Sequence, residues 1–76
     1  MESKNRERFV RLANSRVNNA IKVIRSIGKL SNKSSYGYNN SDLDLIFRAL
    51  TGEMQECKGK FDASLSKETK KFKLEY

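Results

Sequence analysis

Six cationic residues, Lys4, Arg8, Arg11, Lys22, Arg25 and Lys29, recur at the alternating four- and three-residue spacing that lines one stripe of an α-helix. Ser15 and Asn18 fill the gap in that row. Residues 1–30 hold eight Lys/Arg, these six with Arg6 and Arg16, against Glu2 and Glu7, so +6 of the chain's +7 lies there. A row of cations one helical turn apart meets successive phosphates of a nucleic acid and releases their counterions. Asn14, Ser15, Asn18 and Asn19 interleave hydrogen-bonding groups with the charges, and Tyr36 and Tyr38, further along, offer rings for unpaired bases. The expected contact set is Lys4, Arg8, Arg11, Ser15, Asn18, Lys22, Arg25, Lys29, Tyr36 and Tyr38. The alternatives are an acidic patch on another protein and an ordinary solvated face. Solvated faces usually mix their charges, and this one is nearly all of one sign.

Other chemistries find few groups. There is no His, hence no ordinary general base near neutral pH and no Ser-His or Cys-His pair. Gly28, Gly37, Gly52 and Gly59 match neither a phosphate-binding loop nor a dinucleotide fingerprint. The expectation is a non-enzymatic protein without a cofactor or metal. Asp42 with Asp44 reads as helix capping, and Glu53 with Glu56 as helix-surface charge. Cys57 is the only cysteine, which excludes an intrachain disulfide, and its place on an apolar seam predicts a buried, inert thiol. Arg6 and Arg16 fall nearer the apolar side of their helix. There they snorkel or pair with Glu53 or Glu56, or else take part in an interface.

Two elements must carry these residues. From about Ser3 to Gly28, Val10, Ala13, Val17, Ala20, Ile24 and Ile27 repeat three and four apart, widened by Phe9, Ile21 and Val23. No proline interrupts the pattern. Gly28 suits a left-handed closing position. Residues 29–40, whose stretch from Ser31 reads SNKSSYGYNN, form a polar loop long enough to reverse the chain. A second helix starts at about Ser41, capped by its hydroxyl with Asp44 answering, and runs to Phe61 or beyond. Its seam is Leu43, Phe47, Leu50, Met54, Cys57 and Phe61, with Ile46 beside it. Gly52 and Gly59 lie away from that seam, either as tolerated surface glycines or as a flat strip for a close-approaching backbone. Residues 62–76 form a basic, amphipathic tail. It is read as frayed helix or disorder, or as a short strand, because Phe72, Leu74 and Tyr76 alternate with Lys71, Lys73 and Glu75.

The fold expected is all-α: an antiparallel two-helix hairpin over residues 1–61. Seventy-six residues bury a thin core, and the apolar surface exceeds what one facing helix covers. A homodimer closing into a four-helix bundle is the simplest remedy, and a protein partner that completes the core is the other. No apolar run approaches a signal peptide or a membrane span, so a cytoplasmic protein without membrane contact is expected.

The stretch RFVRLANSRVNNAIKVIRSIGKLSNKSSYGYNNSDLDLIFRAL resembles short helical proteins of phages and other mobile elements. The similar features are the RVN-AI core of the first helix, an IG-LSN-S turn with a Tyr, and an acidic-capped second helix reading IFRAL. The resemblance spans about two thirds of the chain, Arg8 to Phe61, and transfers no functional residue. It implies a setting in which small accessory proteins act by binding, including as inhibitors of host defence. An anti-CRISPR-like or other anti-defence protein docking on a host protein is the alternative to a nucleic-acid binder.

Overall fold

A computed structural model describes residues 2–73, with side chains described over 3–66. It is all-helical: α1 spans Glu2–Gly28, a single 3-10 turn spans Lys29–Ser31, and α2 spans Asn40–Lys73. The chain divides into two units, Met1–Gly37 and Tyr38–Tyr76, each built on one long helix.

In the first unit, 27 residues without proline make a helix about 40 Å long. Its apolar residues fall on one side, from Leu12 and Val23 through Phe9, Ile27 and Ala20 to Val17 and Val10. Near the end, the Ser26 hydroxyl donates to the Val23 carbonyl at 2.6 Å. Gly28 does not take the left-handed closing conformation: its φ of −59° and ψ of −27° are right-handed helical, and the chain tightens into the 3-10 turn instead. A tightened last turn satisfies terminal carbonyls as a left-handed glycine would. Asn32, extended at φ −73° and ψ 102°, ends that turn.

Asn32 also organises the start of the loop. Its side-chain oxygen accepts from the Ser34 amide at 3.1 Å and the Ser34 hydroxyl at 2.7 Å. Its carbonyl accepts from the amides of Ser35 at 3.1 Å and Tyr36 at 3.0 Å. This is one capped turn in which a short polar side chain stands in for backbone partners.

The second unit begins with a reciprocal cap placed two residues before the expected one. Asn39 Oδ1 accepts from the Asp42 amide at 2.9 Å, and Asp42 Oδ2 accepts from the Asn39 amide at 3.0 Å. The first helical bond, Leu43 N–H to the Asn39 carbonyl at 3.2 Å, makes Asn39 the N-cap. Ser41 therefore sits inside the first turn instead of capping it. Tyr38 and Leu43, the positions that flank such a box and pair as a hydrophobic staple, are both half-buried.

From there α2 continues for 34 residues, about 51 Å, and takes in residues 62–73 of the tail. Helical Phe72 corrects the strand reading at that position. Leu74 and Tyr76, the rest of that alternation, lie outside the described residues. Leu43, Leu50, Met54 and Phe61 share one side of the helix with Phe47 and Leu65, so the period of 3.6 outweighs the local period of two.

No described side chain in either unit is buried. Cys57, expected inside, is exposed, because a seam position is buried only where another surface covers it. The half-buried residues, Leu12, Ala13, Ile27, Tyr38, Leu43 and Leu50, are scattered along the helices and make no core. Among the described residues, no helix is long and apolar enough to cross a membrane.

Candidate nucleic-acid interface

α1 sets the geometry of the cationic row. At 100° per residue, Lys4, Arg8, Arg11, Ser15, Asn18, Lys22 and Arg25 fall within a sector of about 100°, centred opposite the apolar side. From Lys4 to Arg25 the row extends for roughly 30 Å. All seven residues are exposed. Lys29 lies beyond the α-helix in the 3-10 turn. A 3-10 step advances about 120°, so Lys29 keeps close to the same side.

The middle of the row is lower than its ends. Ser15, Arg16, Asn18, Asn19 and Lys22 line a shallow depression of about 480 Å³. It exists because Ser15, Asn18 and Asn19 are short while Arg16 and Lys22 are long. Arg16 thus borders the polar side as well as the apolar one, an assignment that its angular position alone did not give. Glu7 also lies on this side, between Lys4 and Arg11, and it is the sector's one acid among the described residues. Arg6 takes a different course, with its guanidinium carbon 5.9 Å from the centre of the Phe9 ring, a cation–π contact on the apolar side near the N-terminal end of α1.

The two tyrosines differ. Tyr36 is exposed at the end of the Asn32 turn, its ring open to a stacking partner. Tyr38 is half-buried next to the start of α2, and its place as the staple residue leaves less of the ring available. They belong to different units.

A smaller depression of about 370 Å³ on α2 is lined by Leu43, Asp44, Phe47, Arg48 and Thr51. Among the described residues no group of acidic or Cys side chains could hold a metal ion. No protein-family model, curated protein or solved structure matches this chain.

Proposed function

We propose that this chain is a small non-enzymatic binding protein that contacts nucleic acid, or a nucleoprotein, through the basic side of α1. The observation that carries this reading is the exposed, one-sided row from Lys4 to Arg25 on a single rigid helix. Phosphate contacts dominate such binding. Affinity falls steeply with salt and depends little on base sequence. Six contacts correspond to a slope of about −5 in log K against log salt on duplex DNA. The architecture that goes with this function is a hairpin that dimerises into a four-helix bundle in the cytoplasm, leaving the polar side of α1 outward.

The test is a binding titration with duplex DNA and with single-stranded RNA across ~0.05 to ~0.5 M salt. Reversing the charge at Arg11, Lys22 and Arg25 should abolish binding with helicity unchanged. Unaltered binding by that variant defeats the assignment to this row.

A second reading is favoured by the apolar side of α1, where Phe9, Val17, Val23 and Ile24 stand exposed. Here the chain is a phage or mobile-element inhibitor that docks on a host protein, the basic row covering an acidic patch and the apolar side filling the contact. A complex that survives high salt and nuclease treatment favours it.

A further inference from the structure

The polar side of α1 is balanced about its own middle, in position and in residue type. Lys4 and Lys29, Arg8 and Arg25, and Arg11 and Lys22 lie at equal distances to either side of the point between Arg16 and Val17. So do Asn14 and Asn19, and Ser15 and Asn18. At 100° per residue, the twofold axis that exchanges these positions leaves the helix through the centre of the cationic row. Lys29, in the 3-10 turn, keeps the balance approximately, and Glu7 opposite Ser26 breaks it in charge. Around the axis the groups are short and neutral, with Ser15, Asn18 and Asn19 forming the depression. The long cations stand beyond them in both directions.

Duplex DNA presents the matching arrangement. Its antiparallel strands give it local twofold axes that point out of the major groove, with hydrogen-bonding base edges on the groove floor and phosphates along both walls. The groove, about 12 Å wide, admits an α-helix. A straight helix meets the curved floor only near its middle, so its central side chains reach base edges while its ends lie by the phosphates. Asn18, beside the axis, is the type of side chain that bonds an adenine through N6 and N7. Arg11 and Lys22, about 16 Å apart along α1, then face the phosphates of opposite strands. Other nucleic acids fit less well. The major groove of duplex RNA is too deep and narrow to be read, and single strands are held by stacked rings, of which the polar side of α1 has none.

We infer that α1 lies in the major groove of duplex DNA, with Asn18 against an adenine near a local twofold axis and the flanking cations on phosphates of both strands. This rests on the proposed nucleic-acid contact, and it adds one central base preference to binding otherwise set by phosphates.

The experiment titrates the full chain at ~0.15 M salt against four probes. They are an alternating A·T DNA duplex, an alternating G·C duplex, the A·T duplex built with 7-deazaadenine, which lacks N7, and an A·U RNA duplex. The A·T duplex should bind about tenfold more tightly than the G·C and RNA duplexes, and 7-deazaadenine should remove most of the margin over G·C. Asn18→Ala should remove it too, with the salt slope unchanged and α1 still helical, since alanine is the better helix former. Equal binding with and without N7, or equal binding of duplex DNA and RNA, overturns the inference and leaves the proposed function standing. An A·T preference that survives both 7-deazaadenine and Asn18→Ala does the same, because the base contact then lies elsewhere. Failure to bind any of the four probes overturns both.

Discussion

Asn39 and Asp42 bond to each other's backbone amides, and that exchange fixes where α2 begins. Two pairs with identical spacing compete for the role, Asn39 with Asp42 and Ser41 with Asp44. Asn is at least as good a cap as Ser, and starting at Asn39 gains two further helical residues. Asn39→Ala should therefore lower stability by about 1 kcal/mol, whereas Ser41→Ala should change it by a few tenths at most; thermal melts followed by circular dichroism check both. Glycines pose the converse case. A Cβ added at Gly52 or Gly59 meets nothing within 4 Å, and neither has a positive φ. Each Gly→Ala change should thus stabilise α2 by about 1 kcal/mol, seen as a higher melting temperature. Loss of stability or of assembly would mean that a partner's backbone lies against the strip formed by the two glycines. Spacing revealed that a cap existed near residue 40 but not which pair made it, since the deciding energies differ by less than a side-chain hydrogen bond.

Both helices were legible because their apolar residues keep a period near 3.6 over many turns, and no proline breaks either. The end of α2 was less legible. The alternation of Phe72, Leu74 and Tyr76 is so short that it fits a strand as well as a helix, and at Phe72 the outcome follows from the thirty residues of helix before it. Of the candidate interface, the row itself could be read directly, since angular position follows from numbering once the segment is helical. The depression at Ser15, Asn18 and Asn19 follows from side-chain length along that row, a signal present in the sequence but carried by size instead of charge. These positions act together through α1 as a rod. Alanine at Arg11 or at Lys22 should each reduce the salt slope of nucleic-acid binding by about 1, with a nearly uniform loss of affinity across base sequences. Alanine at Asn14, on the edge of the row and outside the depression, should leave the slope unchanged.

At the scale of the whole molecule the governing fact is that no described residue is buried, while Leu45, Phe47, Met54, Phe61 and Leu65 on α2 and Phe9, Val17 and Ile24 on α1 stay exposed. Helices of 27 and 34 residues exceed the length at which isolated helices become marginal in water, but propensity alone gives partial helicity, and most helical stability in proteins comes from covering an apolar side. With one cysteine and no His, neither a disulfide nor a zinc site supplies the missing constraint. The proposed dimer would cover those sides by association, which is governed by mass action. Ellipticity and melting temperature should both rise as the chain is concentrated from ~1 to ~100 µM, each tenfold step adding about 1.4 kcal/mol per mole of dimer. A melting temperature that stays constant over this range would locate the stability within one copy of the chain, with the apolar sides of α1 and α2 covering each other.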